Sequence, residues 1–173
     1  MSVSEEPILV GVGANLFLND EQAPLTTCKI ALQKMEGLGM TILQRSSWYL
    51  TSPVPADDQP WYINGVVSIA SDLLPNLLLR ELLLIEKQLG RLPDSRGGAR
   101  TIDLDLLAYG GRICDNMGNP SLTLPHPRMA ERGFVMLPLS EILPYWLHPV
   151  LGVRAEVLAA ESRSGQKLVR VSP

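Results

Sequence analysis

Through Arg100-Thr101-Ile102-Asp103-Leu104-Asp105-Leu106-Leu107, apolar and acidic residues alternate. A period of two marks a half-buried β-strand, on which residues i and i+2 share a face. Asp103 and Asp105 therefore point one way, while Ile102, Leu104 and Leu106 point the other way into a core. Two neighbouring carboxylates repel each other, so their face needs a cation or open solvent. One reading is a hard divalent ion, usually magnesium, held by one or two carboxylates together with substrate phosphates. The other is a solvated polar face on an edge strand.

The 173 residues suit one domain, 1–173, with a core large enough to need no staples. A net charge of -3 argues against a dedicated nucleic-acid binder, which would be basic. Locally the balance reverses, because Arg91, Arg96 and Arg100 outweigh Asp94 just before the acidic strand. Cys28 and Cys114 are far apart and lack paired metal-ligand spacing, as expected for reduced thiols in a cytoplasmic protein. The acidic, polar start from Met1 to Pro7 carries no signal pattern. The leucine-rich stretch 73–89 is interrupted by Pro75, Arg80, Glu81, Glu86 and Lys87, so no membrane partner is expected.

The order of elements follows from periodicity. Residues 8–13 read as a short buried strand, and Leu25, Cys28, Leu32 and Met35 recur at helical spacing over 24–36. Strands are expected at 40–51 and 62–71. Pro75 suits the first turn of a second helix, whose stripe of Leu78, Leu82, Ile85 and Leu89 stops at Gly90. Gly110-Gly111 suggests a hairpin from the acidic strand into a short strand at Arg112–Cys114. The sum is an α+β chain with a ferredoxin-like split βαβ core, its antiparallel sheet covered by two helices on one face. A helix near 132–142, a helix around 152–161 and a strand near 166–171 follow as additions. Residues 145–173 display no chemistry of their own.

Three further groups carry chemistry. Arg91, Arg96 and Arg100, with Arg128 and Arg132 beyond, offer planar forks of donors suited to polyphosphate, or else form a solvated basic loop. Tyr62 and Asn64 share a strand face, where a flat ring could stack on the phenol while the amide reads its edge; a place in the core or rim is the alternative. Prolines flank His126 in Leu124-Pro-His-Pro-Arg128 and hold it off regular structure, as a phosphate donor or a surface histidine. No Gly-x-x-x-x-Gly-Lys-Ser/Thr stretch is present, which excludes a P-loop kinase by motif.

In order, Ser46-Ser-Trp-Tyr-Leu-Thr51, Gln59-Pro-Trp-Tyr-Ile-Asn64, Leu89-Gly-Arg91 with Arg100-Thr-Ile-Asp-Leu-Asp105, and Leu124-Pro-His-Pro-Arg-Met129 with Glu131-Arg-Gly-Phe134 resemble the 6-hydroxymethyl-7,8-dihydropterin pyrophosphokinases of folate biosynthesis. The resemblance implies transfer of diphosphate from ATP to the pterin hydroxymethyl group with release of AMP, by a chain expected to act as a monomer. It implies that Asp103 and Asp105 hold two Mg2+ ions on the triphosphate. Arg91, Arg100 and His126 are implied as catalytic, with Glu86, Arg96 and Arg132 also on the nucleotide. Tyr62 and Phe134 would sandwich the pterin, Asn64 would read its edge, and groups at Thr51 and Val54 would complete the pocket.

The chain departs from the family pattern at Ala14, Pro93, Gly97, Ala99 and Ser121. Pro93 and Gly97 stand where a second arginine and an aromatic are frequent, so a looser lid at 91–99 is expected, with slower turnover or weaker ATP binding. Two rivals remain: a ferredoxin-like module that binds nucleotide or RNA without catalysis, and a member that binds both substrates but serves as a partner of another folate enzyme.

Overall fold

The computed structural model describes residues 7–19, 21–53, 58–91, 99–162 and 166–171. The acidic strand, β5 (Asp103–Tyr109), pairs antiparallel with β1 (Ile8–Ala14), and β1 pairs antiparallel with β4 (Tyr62–Ala70). Alternation is kept across all three. Val10 and Val12 of β1, Leu104 and Leu106 of β5, and Val67 and Ile69 of β4 enter one apolar cluster, together with Ile102 just before β5. Helix α1 (Pro24–Gly37) supplies Cys28, Ala31, Leu32 and Met35 to that cluster, and α2 (Pro75–Gln88) supplies Leu78, Leu82 and Ile85. Both helices begin at a proline, where the missing N–H costs nothing. Gly90 has φ +79 after α2, a left-handed turn that glycine adopts without strain.

The strand expected over 40–51 is broken into β2 (Thr41–Arg45) and β3 (Tyr49–Thr51), both lying along β4. Side-chain bonding makes the break. The Ser46 hydroxyl accepts the Val66 N–H at 3.0 Å and donates to the Ser47 carbonyl at 2.8 Å, so it takes over one position of the ladder. The Ser47 N–H then turns to the Glu141 carboxylate at 3.1 Å. Counted as one interrupted strand, β2 and β3 complete the β-α-β-β-α-β order, with sheet sequence β5-β1-β4-β3.

One expectation needs correction. The Gly110-Gly111 turn does not return the chain along β5. Instead β6 (Cys114–Met117) pairs with β7 (Leu122–Leu124) in a separate two-stranded sheet. The outer edge of β5 is met by the following segment, where the His126 N–H donates to the Leu107 carbonyl at 2.7 Å. The two core helices share one face as expected, and the added helices cover the other. Leu9, Val66 and Leu107 point away from α1 and α2 and pack against Val135, Met136 and Leu139 of α3 (Gly133–Ile142) and Leu158 of α4 (Ala155–Glu161). The mostly apolar composition of α3 suits a helix buried between sheet and α4.

Last in the chain, β8 (Leu168–Arg170) adds to β3 and extends the main sheet. Cys28 and Cys114 are unpaired in α1 and β6. Among the described residues, no helix is long and apolar enough to cross a membrane.

Candidate active site

The sheet face shared with α3 carries a polar row at its end. Gly13 of β1 lies between Asn64 of β4 and Asp103 of β5 in register. A Cβ on Gly13 would fall 2.5 Å from Asn64 Oδ1, so glycine is what lets that amide lie over β1. Around this row opens a cleft of about 420 Å³, whose wall includes Arg91, Arg100, Asp103, Asp105 and His126. Tyr62, Asn64, Thr51, Arg132 and Phe134 line the same cleft. Residues that the sequence separates into four motifs thus face one space.

Charge in the cleft is arranged as opposed pairs. Arg91 and Arg100 each reach Asp103 Oδ1 at 2.8 Å, and Arg132 lies 3.6 Å from Asp105 Oδ2. Burial, then the neighbouring Asp103 charge, holds the Asp105 carboxyl above the ordinary range, and the three arginines pull it back. Its side chain keeps 32% of its surface open to the cleft, so the burial is that of a group walled by protein yet reachable by a ligand.

Glu86 takes a different place. It is only 2% exposed and stands behind Arg91, outside the described cleft wall. Its carboxylate pairs with the Arg91 guanidinium and accepts the Leu104 N–H at 2.6 Å. Burial pushes its pKa up to about 7 against the lowering effect of those bonds. The acid therefore joins α2 to β5 and holds Arg91 toward Asp103.

His126 follows a cis Leu124–Pro125 bond. Its Nδ1 accepts the Arg128 N–H at 3.2 Å, which leaves the ring proton on Nε2 when the imidazole is neutral. Burial, then the Arg132 and Arg128 charges, lower its pKa to about 4, so it is neutral at pH 7. It can donate one hydrogen bond to an anion without carrying charge. Arg132 also stands over the Phe134 ring, 5.4 Å from its centroid.

On the other side, Asn64 Nδ2 donates to Thr51 Oγ1 at 2.6 Å, and the Tyr62 hydroxyl donates to Gln59 Oε1 at 3.0 Å. Val54, Pro93, Arg96 and Gly97 lie outside the described residues, as does most of the expected lid at 91–99.

Several residues of the site carried no signal of this kind in the sequence. Gly13, Ser52, Pro53, Gln59 and Gln166 line the cleft, so the segment 145–173 does contribute to its wall. Asn15, 2% exposed, ties the site together. Its Nδ2 donates to the Pro60 carbonyl at 2.9 Å, and its Oδ1 accepts the Arg100 N–H at 2.8 Å. Asn15→Ala removes both partly buried hydrogen bonds, each worth about 0.5–1.5 kcal/mol, so about 1–3 kcal/mol in all. Urea unfolding should show a loss in that range, and the start of β4 and Arg100 should lose their mutual alignment. Unchanged stability would count against this bracing role.

The donor set can be tested against a divalent cation. Among the described residues no group of three or more His, Cys, Asp and Glu side chains converges. Asp103 and Asp105 alone would leave most of a magnesium shell unfilled. That deficit suits an ion that arrives with phosphate oxygens, and the carboxylate pair fits it in that form.

A sequence model of the family described as 7,8-dihydro-6-hydroxymethylpterin-pyrophosphokinase (HPPK) matches residues 9–144. The 2-amino-4-hydroxy-6-hydroxymethyldihydropteridine pyrophosphokinase of Haemophilus influenzae is 34% identical over 165 residues, 95% of this chain and 97% of that protein. A Synechocystis protein of the same name is 38% identical over 83% of this chain and 70% of its own length. The folic acid synthesis protein fol1 of Pneumocystis carinii is 38% identical over 88% of this chain, which spans only 20% of that protein. Among solved structures, wild-type HPPK-DHPS of Plasmodium falciparum with pteroate superposes with a TM-score of 0.67 at 14% identity. It covers 92% of this chain and 45% of that one, and at such low identity it speaks for the fold alone. With the family match running from β1 to the end of α3, and a relative aligned along nearly all of both chains, this chain belongs to the 7,8-dihydro-6-hydroxymethylpterin-pyrophosphokinase family.

Proposed function

We propose that this chain transfers the terminal diphosphate of ATP to the hydroxymethyl group of 6-hydroxymethyl-7,8-dihydropterin and releases AMP. One observation carries the reading beyond family membership: a paired carboxylate, four arginines and an aromatic–amide surface share a single cleft. Polyphosphate and a flat polar heterocycle need those two chemistries side by side.

Asp103 and Asp105 would hold magnesium ions together with the triphosphate. Bound magnesium supplies positive charge to phosphoryl oxygens and lowers the cost of bringing an oxygen nucleophile to them. The chain's own residues do the rest. Arg91, Arg100 and Arg132 rest on the two carboxylates in the cleft and would exchange those partners for phosphate oxygens. No fresh charge has to be brought in, so little reorganisation opposes the exchange. His126 Nε2–H would donate to a phosphate oxygen from a fixed position. Tyr62 and Phe134 would enclose the ring and Asn64 would read its edge, with Thr51 holding that amide in place. The substrate hydroxyl oxygen then bonds to the β-phosphorus as the bond from that phosphorus to the α-phosphate oxygen breaks, AMP leaves with that oxygen, and the hydroxyl proton passes to solvent. Arg96 and Val54 remain proposed contacts to nucleotide and pterin. In this proposal the chain acts as a monomer, and the two free thiols accord with a cytoplasmic setting.

The test is nucleotide analysis after mixing the protein with MgATP and 6-hydroxymethyl-7,8-dihydropterin. AMP is expected only when magnesium and the pterin are both present. ADP would mean single phosphoryl transfer, and absence of any product would overturn the reading.

A further inference from the structure

The C-terminal strand brings one side chain to the cleft that nothing in the phosphate chemistry employs. Pairing of β8 with β3 places Leu168 opposite Thr51, and the ladder continues outward, with the Ser52 N–H donating to the Lys167 carbonyl at 3.0 Å. Gln166 is thereby carried to the rim of the cleft, which it lines together with Thr51, Ser52 and Phe134. Its amide is not free to rotate between roles. Nε2 donates to the Ser52 carbonyl at 2.9 Å, and that bond fixes which end of the amide is oxygen.

The oxygen end is the part with no employment. Among the described residues, Oε1 accepts no hydrogen bond. It lies beside Gly133: a Cβ built there would sit 3.5 Å from Oε1 and 3.0 Å from the Ser162 carbonyl. Glycine at 133 therefore keeps the backbone before Phe134 close to this amide. An acceptor clamped by its own donor end, next to the ring that would cover the substrate, is arranged to meet an N–H at the rim of a bound heterocycle.

We propose that Gln166 is a specificity-determining residue of the heterocycle subsite, its Oε1 accepting from an amino or ring N–H of the substrate. This rests on the functional reading above. The acceptor stands just before the last strand, so the pairing of β8 positions part of the substrate pocket as well as extending the sheet. A ring that offers an acceptor at that position would meet lone pair against lone pair and be disfavoured.

The test compares the parent with Gln166→Met and Arg170→Ala, in steady-state assays of AMP formation and in thermal melts. Methionine keeps length and flexibility but removes the amide. Arg170, 67% exposed, bonds to Ser47 and Glu141 from the same strand without lining the cleft, so its loss loosens β8 alone. For one neutral hydrogen bond, Gln166→Met should raise the KM for the pterin roughly 2–10-fold. The KM for ATP, kcat and Tm should stay near the parent values, and Arg170→Ala should leave the pterin KM unchanged. An unaltered pterin KM in Gln166→Met overturns the proposal. Equal rises in both variants with a lowered Tm also overturn it, because they would make Gln166 a strand staple only. A parent that forms no AMP would overturn the underlying function and this inference with it, an outcome read before the variants are compared.

Discussion

Asp105→Ala is expected to reduce diphosphoryl transfer by about 10³-fold or more while leaving the fold intact. The size follows from what the carboxylate is proposed to do. Lewis-acid stabilisation by a metal is worth several kcal/mol at the transition state, and each 1.36 kcal/mol is about tenfold in rate. The stability side has the opposite sign. Asp105 sits against Asp103 on one strand face, is only partly exposed, and has one described ion pair, at 3.6 Å to Arg132. Its elevated pKa means that the folded protein disfavours its charge. Removing the carboxylate relieves that repulsion, so Tm should be unchanged or higher. Product assays beside thermal melts check both halves. Turnover within tenfold of the parent, or a collapse of Tm, would refute the assignment. A stability gain with an activity loss is the mark of a strained group retained for function.

Glu86→Ala should cost about 1–3 kcal/mol of stability at pH 5, where the neutral carboxyl is accommodated, because it orphans the buried Leu104 N–H. The loss should shrink toward pH 8, where burial opposes the charged form, and Arg91 keeps Asp103 as a partner throughout. Glu86→Gln separates charge from shape, since glutamine still offers an oxygen to the Leu104 N–H. In the ligand-free parent, burial raises the Glu86 pKa from 4.5 to about 7, so the native state binds more protons than the unfolded chain between those values. Stability from this group is then complete below the unfolded value and is lost as pH rises through the folded one. Relative to Glu86→Gln, the parent should lose up to about 1.4 kcal/mol per pH unit across that window. Urea unfolding at pH 5, 6, 7 and 8 measures the difference. A flat or oppositely sloped difference would show that Glu86 is ionised throughout, with Arg91 dominating over burial.

The family resemblance implies a place near the nucleotide for Glu86; the sequence could not show that its carboxylate pairs with Arg91, an arginine that lines the cleft. Position on a helix was legible; what that helix face touched was not. The same limit explains why the segment 145–173 was opaque in the sequence. Gln166 and Ser52 are 114 residues apart, and no local pattern announces that β8 will pair with β3. The break at Ser46–Trp48 was hidden for another reason, because a β-rich stretch gives no sign that a hydroxyl will replace a carbonyl in the ladder.

Alternation at 102–106 was enough to set the core face of β5 and its side-by-side carboxylates, and with the leucine stripe of α2 and the apolar patterns at 8–13, 24–36, 40–51 and 62–71 it set the β-α-β-β-α-β order. These are consequences of backbone period, which acts within a few residues and so is written in the chain. Tertiary structure alone decided that α3 and α4 cover the second face, that Gly13 makes room for Asn64, and that Asn15 fastens Arg100 across 85 residues. Those outcomes depend on which buried donors and acceptors meet once the sheet is assembled. A buried polar group must find its partner wherever the fold brings one, and that partner is not a local property of the sequence.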